Sequence, residues 1–219
     1  MKVISILSQK GGSGKTTSTL AIAGAAHADN KTVVILDIDP QAAATGWYNA
    51  RKRAELTEGL HVKPLQAVQL EETLKACKAQ DVDFVLIDTP PQSDNPAVQA
   101  AQLSDLVLIA TKPSVMDLRA IQNTLRLAKI ADVQPFVLLN SIKAVGSRHI
   151  EAADTMKALG AEVLTTTLGD RVAFMDMLVD GRTPSEFDAN GLATKESNSL
   201  YQHVNMLISS SVNKEMEAA

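Results

Sequence analysis

The chain has 219 residues, 45% hydrophobic but only 3% aromatic, and its 21 Lys and Arg against 25 Asp and Glu leave a formal net charge of −4. Such a composition describes one sizeable α/β domain with a core of Val, Ile, Leu and Ala. It excludes a protein coated in positive charge, so any contact with nucleic acid must come from a local patch.

The first strand is expected at Val3–Leu7. It is too short for a signal-peptide core, and no segment reaches the about 20 apolar residues of a membrane span, so the expectation is a cytoplasmic protein. A fold that begins at residue 2 is also expected to leave no room for an N-terminal DNA-reading domain. The octet Lys10-Gly11-Gly12-Ser13-Gly14-Lys15-Thr16-Thr17 follows at once. A strand that ends in a glycine-rich turn and opens a helix presents a ring of backbone N–H groups, and the helix N-terminus adds partial positive charge; both suit phosphate. Lys15 is placed to reach the β- and γ-phosphates of a nucleotide and the Thr16 hydroxyl to sit on Mg²⁺. The usual loop has a glycine five residues before Gly14; here that residue is Gln9, and a second lysine, Lys10, opens the loop instead. A dinucleotide fingerprint is disfavoured, because its third glycine would fall on Thr17.

Further along, strands are expected at Thr32–Asp37, Phe84–Asp88, Leu106–Ala110, Phe136–Asn140 and Glu162–Leu164, with helices at about 16–28, 41–54, 69–79, 95–103, 116–131 and 148–159. The second strand ends in the pair Asp37 and Asp39, followed by Pro40-Gln41; the third expected strand, four apolar residues and then Asp88, has the Walker B pattern, whose carboxylate holds Mg²⁺, here through water. Alternation sends Asp37 and Asp39 to the same side, so spacing alone does not divide their roles. Arg51-Lys52-Arg53 reads as a solvated helix end. The lone cysteine, Cys77, excludes a disulfide framework or a multi-cysteine metal site and reads as a buried helix residue. In helix 116–131, Leu118, Ile121, Leu125 and Ala128 form the inward stripe, while Arg119, Arg126 and Lys129 share a solvated face. After Arg171–Val179 and a turn at Gly181, a long helix runs from roughly 191 to 211, whose stripe of Leu200, Val204, Leu207, Ile208 and Val212 is expected to pack on the body. Alternating strands and helices imply right-handed crossovers: an α/β P-loop nucleotidase fold with a mainly parallel twisted sheet, helices on both faces, and one domain over 1–219 ending in a frayed tail over 209–219.

The octet with its extra lysine resembles the deviant Walker A loop of the ParA/MinD group of ATPases, and Asp39-Pro40-Gln41 with Thr45 and Trp47 resembles the short plasmid partition ParA proteins that lack an N-terminal helix-turn-helix. Pro113-Ser114 with Asp117-Leu118, and Arg171 ahead of Gly181 and Glu186, also look familial. The resemblance implies ATP and Mg²⁺ as cofactors and a face-to-face homodimer in which Lys10 reaches the partner's nucleotide. It makes Asp39 the residue near the attacking water, leaves Asp37 to support the magnesium site or the loop, and likens Asn140 to a position that contacts adenine. It also implies nucleoid association, sequence-independent DNA binding by the ATP dimer, and a ParB-like centromere-binding protein that stimulates hydrolysis. Candidate DNA contacts are Lys143, Arg148 and Arg171. Within the same family, an ATPase that positions a protein cargo on the nucleoid, or a MinD-like membrane ATPase, are the alternatives. The membrane alternative asks for a basic amphipathic C-terminal helix, and Lys195 and Lys214 are the only Lys or Arg residues after Arg182. P-loop ligases and kinases of small molecules also share the phosphate loop. An iron–sulfur electron carrier of similar fold would need cluster cysteines that one Cys77 does not supply.

Overall fold

The structure, a computed structural model, describes the backbone of residues 1–218 and the side chains of 1–114 and 120–210. In chain order the elements are β1 (Lys2–Leu7), α1 (Lys15–Ala28), β2 (Val33–Asp37), α2 (Ala43–Arg53), β3 (Leu60–Pro64), α3 (Leu70–Ala79), β4 (Phe84–Asp88), α4 (Asp94–Gln102), β5 (Leu106–Thr111), α5 (Val115–Ile130), β6 (Pro135–Ile142), α6 (Arg148–Ala158), β7 (Glu162–Gly169), α7 (Val172–Asp180), α8 (Pro184–Phe187) and α9 (Leu192–Ala218). The strands form one sheet in the order β3-β2-β4-β1-β5-β6-β7, and every adjacent pair is parallel.

Alternation along each strand divides the core. Ile4, Ile6, Val33, Ile35, Leu86 and Leu108 meet α1, α2, α7 and α9 on one face. On the other face Val85, Ile87 and Leu36 meet α3, Val107 and Leu7 meet α4 and α5, and Ile109, Val137 and Leu139 meet α5 and α6. Apolar contact on both faces is what sustains the near-continuous hydrophobic runs of these strands. Cys77 is buried in α3, as its surroundings in the sequence suggest. Leu200, Val204 and Ile208 of α9 are buried against the same face as α1, so this apolar stripe is already covered. Among the described residues no helix is long and apolar enough to cross a membrane.

Three expectations are corrected. β3 was not foreseen: an edge strand with only Leu60 and Val62 buried, it forms because β2 offers a paired backbone, not because its own sequence has strong β character. β7 runs to Gly169, well past Leu164, with register irregularities against β6. The third correction is Arg51, which is not solvated. Its guanidinium is 1% exposed, makes a two-pronged ion pair with Glu186 (2.8 and 2.9 Å) and donates to the Gly181 carbonyl, whereas Lys52 and Arg53 are exposed. In α5, Ile121 and Ala128 are buried and Arg126 and Lys129 exposed, and Thr124 and Leu127 are buried too because α5 also packs on α4. The side chains of Leu118, Arg119 and Val212 lie outside the described residues, and the backbone of α9 is helical to Ala218, past the helix end expected near 211.

The Arg51–Glu186 pair stitches α2 to the chain after α7. Gly181 takes φ +80°, and a β-carbon there would run into the backbone of Arg51, so both conformation and space call for glycine. Desolvation pushes the Glu186 carboxyl up, but the hydrogen bonds from Arg51 and from the Thr183 N–H outweigh it and hold its pKa below the usual carboxylate value. A folded-state pKa below the unfolded one gives stability that is present above about pH 4.3 and lost as pH falls through the folded value. Arg51→Ala, which leaves Glu186 half-buried and unpaired, is expected to cost about 3 kcal/mol in urea unfolding at pH 7. The deficit should shrink as the pH drops below 4; an Arg51→Ala protein as stable as wild type at neutral pH would show the pair to be idle.

Candidate active site

The register across three adjacent strands sets the site. Ile6 of β1 stands opposite Asp88 of β4, and Asp88 stands opposite Asp37 of β2, so the phosphate loop and both carboxylates leave the sheet at one level of its C-terminal edge. Crevices at this edge are where open α/β sheets take ligands. A cleft of about 360 Å³ opens there, walled by Gly11, Gly12, Gly14, Lys15, Thr16 and Thr17 together with Asp39, Lys112, Asn140 and the stretch Leu168–Arg171. Phe174, Met175 and Leu178 of α7 close one side of it.

Gly14 is the N-cap of α1, with φ +96° and no side chain capping the helix. The first N–H groups of α1 are thus without a side-chain acceptor at the cleft, the condition that makes a helix start a phosphate site. A β-carbon on Gly14 would come 2.6 Å from Asn140 Nδ2. Asn140, at the end of β6, donates from Nδ2 to Ser18 Oγ (2.9 Å) and to the Ser13 carbonyl (3.2 Å), tying the loop to β6. Thr16 Oγ1 donates to Asp88 Oδ2 at 2.7 Å. Lys15 is only 6% exposed; desolvation lowers its pKa from the ordinary lysine value, with Asp88 and Asp39 pulling the other way.

Asp88 is fully buried. Burial pushes its carboxyl up to about 7, aided by the neighbouring Asp37 and Asp39 and opposed by Thr16 and Lys15. Asp37 spends its oxygens on the chain that follows β2: Oδ2 accepts from the Thr45 N–H (2.8 Å) and hydroxyl (2.6 Å), Oδ1 from the Asp39 N–H (3.2 Å). Asp39 is half-buried on the cleft wall, its Oδ1 accepting from the Gln41 N–H at 2.9 Å. Lys10 opens the loop, half-buried and outside the wall of its own cleft.

Of the five buried side-chain polar atoms without a partner among the described residues, three gather here: Ser13 Oγ, Asp88 Oδ1 and Asn140 Oδ1. Buried polar atoms are almost always paired, so three orphans around one cleft fit a site built for a polar ligand. No group of three or more His, Cys, Asp or Glu side chains clusters for a metal among the described residues. The donor set of Thr16 and Asp88 instead suits a hard cation such as Mg²⁺, which keeps several waters and shares phosphate oxygens.

Residues 4–184 match the profile of the CobQ/CobB/MinD/ParA nucleotide binding domain. The chain belongs to this family. Its similarity to the maintenance of carboxysome distribution protein A of Halothiobacillus neapolitanus is 26% identity over 213 residues, covering 92% of this chain and 95% of that protein. To the protein ParA of Rhizobium radiobacter it is 27% over 186 residues, covering 80% and 81%. Among solved structures, the septum site-determining protein MinD of Pyrococcus horikoshii, complexed with Mg-ADP, superposes with a TM-score of 0.74 at 19% identity, over 94% of this chain and 96% of that one, which speaks for the fold.

As a member of the CobQ/CobB/MinD/ParA family the chain has its expected phosphate loop, Asp39 and Asn140 around one cleft, with Asp88 beneath Thr16. The three candidate DNA contacts do not form one group. Lys143 and Arg148 are exposed on a neighbouring cleft with Lys112 and His149. Arg171 faces the nucleotide side, where its guanidinium pairs with Glu196 Oε1 of α9 (2.7 Å) while Glu196 Oε2 accepts from the Gly169 N–H. Sequence reasoning missed Lys112, which walls both clefts, and Phe174; the signals available were Lys112 directly before Pro113-Ser114 and the strand-to-helix switch at Gly169-Asp170-Arg171.

Proposed function

We propose that this chain is an ATP-driven partition switch: an Mg-ATP-dependent dimer that holds DNA without regard to sequence and lets go when a partner protein stimulates hydrolysis. The observation that carries this reading is the convergence of Lys15, the Thr16–Asp88 pair and Asp39 on one cleft, next to a loop opened by a second lysine. Lys15 and the N–H groups of the loop would hold the phosphates; Thr16 and Asp88 would hold Mg²⁺, with Asp37 setting the loop that carries Asp39. Bound Mg²⁺ supplies charge stabilisation to the transferring phosphoryl group. Asp39 orients water, and Lys10, outside its own cleft wall, reaches across to the second subunit's nucleotide. Asn140 lies on the cleft wall, and its buried Oδ1, without a partner among the described residues, would be the atom to accept from an amino donor such as adenine offers.

The γ-phosphate is the differential contact that favours the dimer, so hydrolysis releases it. A second reading, the positioning of a protein cargo on the nucleoid, draws on the nearly full-length similarity to a carboxysome distribution protein. Both readings place the switch in the cytoplasm on the nucleoid, and neither needs a membrane. They part at the partner, a ParB-like centromere-binding protein or a cargo adaptor.

DNA co-sedimentation with ATP, with ADP and without nucleotide tests the shared core: binding is expected with ATP alone, and its absence at physiological salt would end both readings. Lys143 and Arg148 are proposed as the main phosphate contacts, with Arg171 joining only if it leaves Glu196. Replacing Lys143 and Arg148 by alanine together should weaken binding to all sequences alike. It should also flatten the salt dependence by about one unit of slope per lost contact in each subunit. Wild-type DNA affinity in that double variant would move the patch elsewhere.

A further inference from the structure

The cleft that holds Lys143 and Arg148 is larger than the nucleotide cleft beside it, about 660 Å³ against about 360 Å³. Its wall comes from the end of β5, from the stretch Ser141–His149 between β6 and α6, and from Asp170. No residue of the phosphate loop lines it, and the two clefts share only Lys112, Ser141 and Asp170. Ser141 holds φ +54°, a left-handed conformation that is costly for serine, and residues held in this way gather at ligand sites.

Three full cations, Lys112, Lys143 and Arg148, stand on this wall against one carboxylate, Asp170. None of the three has an ion-pair partner among the described residues. Arg148 opens α6, a helix of 11 residues whose N-cap Ser147 gives its hydroxyl to Glu151 and leaves the first N–H groups without a side-chain cap. That end adds partial positive charge. Pro113, Ile142 and Val145 supply apolar wall next to the cations, and Val145 is 89% exposed. A concave site of this volume with both kinds of wall fits a small molecule that carries both phosphate and apolar surface. A duplex backbone presents sugar and phosphate alone, and from outside it meets exposed Lys143 and Arg148 rather than half-buried Lys112.

We infer that this second cleft binds a phosphorylated small molecule with a flat organic ring, of the nucleoside bisphosphate class. Its phosphates lie on Lys112, Lys143, Arg148 and the start of α6, and its ring covers Val145 and Pro113. The site goes beyond the switch reading above and does not depend on it. Where that reading holds, an occupant takes Lys143 and Arg148 out of reach of DNA, and through Lys112 it borders the nucleotide cleft.

The test is a calorimetric titration of the full chain, given one equivalent of fluorescently labelled Mg-ADP beforehand to fill the nucleotide cleft. The probes are adenosine 3′,5′-bisphosphate, which carries both features, and fructose bisphosphate, which has the phosphates without the flat ring. The adenosine probe should bind once per chain and at least about fivefold tighter than the sugar. Lys143→Ala with Arg148→Ala should weaken both probes about tenfold, and Val145→Ser should weaken the adenosine probe alone, about threefold. Arg126→Ala with Lys129→Ala, exposed cations at the far end of α5, should change neither. Absence of binding, or equal losses in the two double variants, overturns the inference. So does release of the labelled ADP by the adenosine probe, which would place that probe in the nucleotide cleft. A duplex oligonucleotide that binds through Lys143 and Arg148 while the adenosine probe does not bind would leave the cleft to DNA and overturn it as well. Failure of the chain to take up Mg-ADP counts against the switch reading alone, and the variants still decide the second cleft.

Discussion

Lys15→Ala should abolish Mg-ATP binding in a calorimetric titration while the far-UV circular dichroism stays unchanged. Lys15 is a buried cation at the mouth of an uncapped helix, kept charged against its desolvation by Asp88 and Asp39. Phosphates entering the cleft would meet it as the one fixed full positive charge the loop presents to its own cleft. Removing a buried charge that would pair with the ligand at a binding site costs about 2–5 kcal/mol, which corresponds to a loss of affinity of about 30-fold to several thousand-fold. The fold should survive, because the helix it starts is held by the buried run Leu20–Ala26. Wild-type affinity in this variant would remove the phosphate loop from the site.

Asp39→Ala should separate binding from turnover. The carboxylate lies on the cleft wall without holding an element of the core: it accepts from the Gln41 N–H, local to the loop. Nucleotide should therefore bind with nearly wild-type affinity. Hydrolysis, deprived of the group that orients water, should fall about 10²–10⁴-fold in single-turnover measurements. The dimer should then accumulate with unhydrolysed ATP. Lys10→Ala makes the contrast: it should bind ATP yet remain monomeric by light scattering. A variant at Asp39 that turns over normally would hand the water to another group, and a Lys10→Ala protein that dimerises normally with ATP would remove the role across the interface.

Much of this site could be read before any coordinates because its signals are local. An apolar run, a glycine turn and a helix-forming stretch in sequence are enough to place Lys15 and Thr16, and four apolar residues before an acid place Asp88. Signals that depend on a distant partner were not legible. Arg51 looks like any helix-end arginine until Glu186, 135 residues later, folds beside it. Arg171 looked like a free cation until α9 brought Glu196 to it. Asp37 and Asp39 share a face by alternation, and only the hydrogen bonds to Thr45 separate the first as the anchor of its loop. β3 carries too little apolar sequence to announce itself and borrows its order from β2.

The stitching of α2 to the chain after α7 has a mechanical consequence. Arg51 is clamped by Glu186, the Trp47 indole N–H donates to the Arg182 carbonyl at 3.4 Å, and Gly181 lies against the backbone of α2. At its other end the helix is gripped by the Asp37 carboxylate through Thr45. A lever fixed at both ends does not swing. Any travel of Asp39 in response to the state of the nucleotide is therefore taken up within Ile38–Ala42, a five-residue bridge whose last member already sits at φ +52°. The residues between β2 and α2 form a short flexure between two rigid mounts.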